Sequence, residues 1–133
     1  MKKAFMSLKF YDGDVTKSKV DTLTQALKNA GIENFVMIRD VEKYGEVEVS
    51  SKSLMAEYAF PEMEKCDMLI VEFSEKGVGL GVGAGYAFAK NIPIYIIAKT
   101  GSDISSTIGG LAKEIIFYDK PEDITEKFKE ILK

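Results

Sequence analysis

Asp67-Met68-Leu69-Ile70-Val71-Glu72-Phe73-Ser74 leads into a segment with glycine at every second position, Gly77, Gly79, Gly81, Gly83 and Gly85. The apolar run has strand length and no polar alternation, which predicts burial on both faces, as at the centre of a parallel sheet. The glycines are expected to form a turn. Lacking Cβ atoms, such a turn lets backbone N–H groups approach a ligand closely, and the helix N-terminus behind it adds partial positive charge. Tyr86-Ala87-Phe88-Ala89-Lys90 supplies that helix, and Pro93 introduces a further apolar run, Ile94-Tyr95-Ile96-Ile97-Ala98. The strand–turn–helix–strand unit is shaped to hold a phosphate or a sugar. Tight helix–sheet packing would need only one or two glycines, so five at period two favour a ligand site.

Outward from this unit the same alternation recurs. A first strand is expected over 3–10, then a helix from a cap at Thr16 or Ser18, with Val20, Leu23 and Leu27 on one face and Gly31 as its stop. A second strand over 35–38 ends at Arg39-Asp40, and a polar connection over 42–51 leads to a helix over 53–65. Pro61 should kink that helix or split it in two. Residues 100–110 read as a loop with a short helix, 114–118 as a fifth strand. The last helix opens at Pro121 and turns Ile124, Phe128, Ile131 and Leu132 inward. The pattern predicts an α/β fold in one domain over 1–133: a five-stranded parallel doubly wound sheet, flavodoxin- or Rossmann-like, with helices on both faces. Ligands of such sheets bind at the carboxyl ends of the strands. That edge should gather residues 10–12, Arg39-Asp40, 74–83 and 99–106.

Composition removes whole classes of chemistry. The chain has no histidine, which excludes Ser-His-Asp and Cys-His catalysis and His-ligated zinc. Chemistry must come from carboxylates, Tyr, Lys, hydroxyls or backbone dipoles. The net charge of −3, with no basic block, argues against a nucleic-acid polymer as partner. Cys66 is the only cysteine, reads as a buried structural thiol, and suits a reducing cytoplasm. Met1-Lys2-Lys3 precedes an apolar stretch too short for a signal peptide, and no run is long enough to cross a membrane.

Gly79-Leu80-Gly81-Val82-Gly83-Ala84 also matches the dinucleotide fingerprint Gly-x-Gly-x-x-Ala. That fingerprint belongs in a first strand–helix unit, with an acidic ribose ligand ending the next strand. Here Lys99 stands near that place, Asp103 comes a few residues late, and there is no room for a substrate domain. A redox enzyme is therefore disfavoured.

The stretch from Cys66 to Ser74, the segment Gly77-Val78-Gly79-Leu80-Gly81, and Gly85-Tyr86-Ala87 resemble the nucleoside 2-deoxyribosyltransferase family, which includes the 2'-deoxynucleoside 5'-phosphate N-glycosidases. The similarity is densest over 66–98 and extends over nearly the whole chain. It implies cleavage or transfer of the N-glycosidic bond of a deoxynucleoside or its 5'-monophosphate, with no cofactor and with a homo-oligomer, most simply a dimer. In such enzymes a glutamate attacks C1' while other acidic groups handle the proton of the base, as an oxocarbenium-like centre requires. The resemblance places that glutamate at Gly83, an aspartate of the N-glycosidases at Ala59 and a phosphate-contacting serine at Gly77. None of the three carries the side chain. It also puts Ser105 where a phosphate-binding serine stands, reaching into a neighbouring subunit.

The remaining candidates follow from position. Glu72 is the best placed carboxylate for a supporting catalytic role, with hydrogen bonding to nearby backbone as the alternative. Asp40 beside Arg39 is either a ligand contact or half of a solvated ion pair. Asp12 and Asp14 are turn formers around Gly13. Phe5, Tyr11, Ser74, Gly77, Gly79, Gly81, Lys99 and Ser105 are the expected contacts to a nucleoside or nucleotide. Backbone donors and the absence of histidine favour anionic ligands, so monophosphates over nucleosides. Met6, Met37, Met55, Met63 and Met68 read as core filler. The functional alternative is a nucleotide-binding sensor or partner protein that keeps the pocket without the chemistry.

Overall fold

Strand β3 (Met68–Glu72) is buried at every position, as its unbroken apolar run predicts. The structure, a computed structural model, describes residues 1–10 and 14–133. Around β3 lie β1 (Lys2–Leu8), β2 (Ile32–Phe35), β4 (Ile94–Lys99) and β5 (Glu114–Tyr118), all parallel, in the order β2-β1-β3-β4-β5. The chain thus reverses direction of travel across the sheet between β1 and β3, which opens a crevice at their carboxyl ends.

Each face of the sheet carries its own core. Helices α1 (Asp14–Lys28) and α7 (Pro121–Ile131) cover one, with Val20, Leu23, Leu27, Ile124 and Phe128 packed on Met6, Ile70 and Ile97. Thr125 Oγ1 donates to the Ala26 carbonyl at 2.6 Å and ties the two helices together. The other face holds α4 (Phe60–Glu64) and α5 (Val78–Ala89), with Met63, Leu80, Ala84 and Ala87 against Phe5, Leu69, Val71 and Ile96.

Three elements differ from the expectation. The second strand is Ile32–Phe35, not 35–38, because Gly31 (φ 81°) turns the chain at once into register with β1, Lys2 opposite Ile32 and Phe5 opposite Phe35. Met37–Asp40 instead forms the short helix α2, closed by Asp40 Oδ2 accepting from the Val36 N–H at 2.9 Å. The glycine segment is not a turn. Gly79 to Gly85 lie inside α5, and only Gly77 is extended, as the residue that precedes the helix. Glycine costs about 1 kcal/mol per helical position relative to alanine, but burial of Leu80, Ala84 and Ala87 at spacings of four and three overrides it. The first strand also stops at Leu8 rather than 10.

The expected kink or split at Pro61 takes another form: the helical course is unbroken over 51–64 and changes winding ahead of the proline. Ser51–Ser53 (α3) begins it, Leu54–Ala59 winds as a π-helix, and α4 restarts with Pro61 in its first turn, where no N–H is needed. A short helix α6 (Ser106–Gly109) interrupts the loop before β5.

At the carboxyl end of β3, Glu72 is 1% exposed. Its carboxylate accepts from the Ser74 N–H and hydroxyl, both at 2.7 Å, and from the Tyr118 hydroxyl, and it pairs with Lys19 Nζ at 3.5 Å. Ser74 Oγ in turn accepts from the Lys99 N–H at 2.9 Å, so one buried charge joins α1, β3, β4 and β5. Burial, then the hydrogen bond to Glu72 and its charge, push the Tyr118 hydroxyl above the usual tyrosine range. Tyr118→Phe should therefore lower stability by about 1–3 kcal/mol at neutral pH, since it strips a donor from a buried carboxylate. A folded-state value above the unfolded one means that this contribution is complete below about pH 10 and fades as pH rises further. Melting temperatures of both proteins from pH 7 to 11 should converge at the alkaline end; a constant gap would refute the coupling.

Candidate functional site

A cavity of about 280 Å³ opens at the carboxyl ends of β1 and β3, on the face covered by α4 and α5. Its position is that of the crevice dictated by strand order. Phe5 and Ser7 form the β1 wall, and Val36, Met37 and Ile38 come from the segment after β2. Leu54, Met55 and Ala59 of the π-helix and Met63 of α4 close one side, and Gly77, Gly79, Leu80 and Gly83 close another. Alternation along β1 puts Phe5 and Ser7 on this face and Met6 and Leu8 in the opposite core. Phe5 is held by Phe35, ring centroids 5.5 Å apart. The wide π-turn sets Met55 and Ala59 toward the sheet, so methionines read as filler line the cavity as well as the core.

Gly83 is buried and helical, without positive φ; a Cβ there would meet the Met63 terminal methyl at 3.0 Å. The cavity therefore borders a spot where no side chain projects from α5.

Three polar side chains among the lining residues, Ser7, Lys9 and Glu42, were not singled out from the sequence. Glu42 is the only carboxylate among the described lining residues. Burial alone pushes its pKa up, and no ion pair or hydrogen bond to its carboxylate is present among the described residues. Its backbone is firmly anchored: its N–H donates to Met37 O at 3.0 Å, and its carbonyl accepts from Gly45 and Val47 at 3.0 and 2.9 Å. Lys43 (φ 50°), Tyr44 (φ 54°) and Gly45 (φ 92°) follow in the left-handed region, which non-glycine residues adopt at a cost. Ser7 Oγ is buried without a hydrogen-bond partner. A lone hydroxyl in an apolar strand was the available signal for Ser7. Glu42 lies in a charged loop whose fold no local pattern reveals.

The expected site residues divide. Phe5, Gly77 and Gly79 line the cavity, as do Gly83 and Ala59. Glu72 does not: it points to the α1/α7 face, inside the network with Ser74, Lys99, Tyr118 and Lys19, and Ser74 and Lys99 are engaged there with it. Asp40 pairs with Arg39, whose guanidinium reaches both carboxylate oxygens at 2.8 Å and also Asn34 and Thr24. Burial would raise the Asp40 carboxyl, but the Arg39 and Val36 donors outweigh it and hold it below the usual range. Gly81 faces outward on α5 and is exposed. Ser105 caps α6, its hydroxyl accepting from the Thr107 N–H at 3.3 Å, and it is not on the cavity wall. Tyr11 and Asp12 lie outside the described residues. No group of metal-ligating side chains is present among the described residues, and no described helix is long and apolar enough to cross a membrane.

No protein-family model matches the chain, and no curated protein matches it in sequence. Solved structures do match in shape. A conserved protein from Enterococcus faecalis V583 is 14% identical, with TM-score 0.74 over 98% of this chain and 99% of that one. The 2-deoxyribosyltransferase of Bacillus psychrosaccharolyticus is 16% identical, with TM-score 0.69 over 92% and 90%. The CMP N-glycosidase of Clostridium botulinum is 18% identical, with TM-score 0.59 over 95% and 97%. At these identities what is shared is architecture: the chain has the all-parallel α/β fold on which a 2-deoxyribosyltransferase and an N-glycosidase are also built.

Proposed function

We propose that this protein binds a nucleoside or nucleotide in the β1/β3 cavity and descends from enzymes that cleave or transfer the N-glycosidic bond of deoxynucleosides or their 5'-monophosphates. One observation carries the reading. Gly83, Ala59 and Gly77, the positions at which the resembled family keeps its nucleophile, a second acid and a phosphate-binding serine, all border the same cavity. Ala59 is distant in sequence from Gly77 and Gly83, and a chance resemblance gives no reason for it to converge with them. The fold shared with a 2-deoxyribosyltransferase and a CMP N-glycosidase supports the same ancestry.

The chemistry is impaired in this chain. A covalent deoxyribosyl-enzyme needs a carboxylate at C1', and Gly83 supplies none. A binding protein, acting as a nucleotide sensor or as a partner for another protein, is the second reading; the loss of both acidic positions from the cavity favours it. The single unpaired thiol, Cys66, held up to about 11 mainly by burial, suits a structural role in a reducing cytoplasm.

Incubation with the common deoxynucleosides and their 5'-monophosphates should release little or no free base by chromatography. Gly83→Glu should raise that release. The helical backbone of Gly83 accepts a side chain without strain, and the flexible end of Met63 is what must move. Rates in the unmodified protein that match those of Gly83→Glu would sink the impairment.

Helix α5 offers a surface for a second copy. None of its twelve residues is charged, and Val78 (86% exposed), Val82 and Phe88 remain exposed on its outer side. A helix apolar all round is normally covered. The protein should form a two-fold dimer, with α5 in the interface, and Val82→Lys should shift it toward monomer. Light scattering at micromolar concentration checks both; a monomeric parent protein would remove the dimer from the proposal.

A further inference from the structure

The helical course over 51–64 changes its winding midway, and the change falls where the helix forms the cavity wall. The Phe60 N–H donates to the Met55 carbonyl, five residues back, and Leu54–Ala59 wind as a π-helix. Burial follows that period: Leu54 and Met55 are half-buried, 56–58 are exposed, and Ala59 and Phe60 turn inward again. In an α-helix, residues five apart stand about 140° apart around the axis. Wound with bonds from residue i to i+5, they share a face. Two pairs at this spacing do so. Leu54 and Ala59 both line the β1/β3 cavity, and Ser53 and Tyr58 both line a second one, of about 310 Å³, beside Asp40 and Val47.

Pro61 is the residue that requires the wider turn. It has no N–H to donate, and in an α-helix its ring would strike the carbonyl four residues back, that of Glu57, inside the π segment. A turn one residue longer moves that carbonyl away. Phe60 nevertheless stays in the right-handed helical region (φ −61°, ψ −48°), which a following proline disfavours, so the chain does not avoid the clash by leaving the helix. The stack of the Phe60 ring on Tyr86, centroids 3.9 Å apart, holds this point of the helix against α5. With Ala59 fixed against the sheet, α winding would bring Met55 and Ala56 onto its face and carry Leu54 away from it. The wall would then lose an isobutyl group and gain a methyl.

We propose that Pro61, which does not itself line the cavity, is a positioning residue for it: the proline holds 54–59 in π winding, and that winding sets Leu54 beside Ala59 as the wall on which the apolar part of a ligand packs. The inference rests on the reading that this cavity binds a ligand, but not on that ligand's being a nucleotide. The wall is mostly apolar, with Phe5, Met37, Met55 and Met63 around Leu54, so the placing of one large side chain governs the fit.

The test is calorimetric titration of the full chain with indole, a flat apolar probe, and with 2'-deoxyadenosine 5'-monophosphate, repeated on Pro61→Ala, Leu54→Ala and the double variant. Alanine is the strongest helix former, so Pro61→Ala keeps the helix and changes only its winding. Couplings across hydrogen bonds in nuclear magnetic resonance spectra read that winding. The Phe60 nitrogen should couple to the Met55 carbonyl in the parent and in Leu54→Ala, and to the Ala56 carbonyl in Pro61→Ala. Each single substitution should weaken indole binding about tenfold, the scale of a part-buried leucine side chain. The double variant should bind no more weakly than either, because both substitutions remove the same contact. A proline that serves stability alone would shift the melting temperature and leave binding unchanged. A Phe60–Met55 coupling that survives Pro61→Ala, or losses that multiply in the double variant, overturns the proposal. Indole bound in the expected pattern without the nucleotide sustains the proposal and overturns the nucleotide reading. Nucleotide bound with an affinity indifferent to Pro61→Ala does the reverse. Binding of neither probe overturns both.

Discussion

Burial of β3 on both faces is the constraint from which the rest of the structure follows. A strand with Met68, Leu69, Ile70 and Val71 in sequence has no face to give to water, so the sheet needs a helical layer on each side. Parallel pairing to β1 and β4 then requires crossover connections, and right-handed crossovers lay α1 and α7 on one face and α4 and α5 on the other. Because β1 and β3 are adjacent while their helices leave to opposite faces, nothing fills the space above their carboxyl ends. The cavity is a consequence of the strand order.

The two ends of the charge inventory are handled differently at that edge. On the α1/α7 side a carboxylate is buried, yet Glu72 has Ser74, Tyr118 and Lys19 as partners. Such an arrangement holds three strands and a helix in register, and removing one member leaves the charge exposed to a low-dielectric surrounding. On the α4/α5 side Glu42 has no such partners among the described residues, and the wall around it is mostly apolar, with Ser7 and Lys9 as its other polar side chains. A satisfied buried charge such as Glu72 is a structural element, whereas the half-buried Glu42 keeps contact with solvent.

Helix α5 shows how packing can override local preference. Four glycines in twelve residues make a poor helix on propensity alone. The helix forms because Leu80, Ala84 and Ala87 recur on one face, and because the missing side chain at Gly83 lets Met63 of α4 approach closely. Gly83 permits the close α4–α5 packing that walls the cavity, while Gly81 and Gly85 are exposed on the helix.

Fold class, strand number and parallel arrangement were legible in the residues themselves, since they depend on apolar runs and on their alternation with helical periods, which are local quantities. The expectation of a ligand site at the carboxyl edge came from the same pattern, and Gly77 and Gly79, expected there, line the cavity. What depends on distant partners was not legible. The glycine segment read as a turn because glycine's intrinsic cost is local, while the burial that makes it a helix comes from Met63 and the sheet. Glu72 read as a site residue because its place in β3 was clear but the face it takes was not; Lys19 and Tyr118, from α1 and β5, claim it for the far side. Glu42 read as part of a polar connection, and it is the turn directly after α2, with the Glu42 N–H donating to Met37 O, that brings the residue to the cavity lining. Sequence determined the sheet and its edge through short-range pattern; tertiary structure decided which side chains meet there, because that depends on which face each element turns to its neighbours.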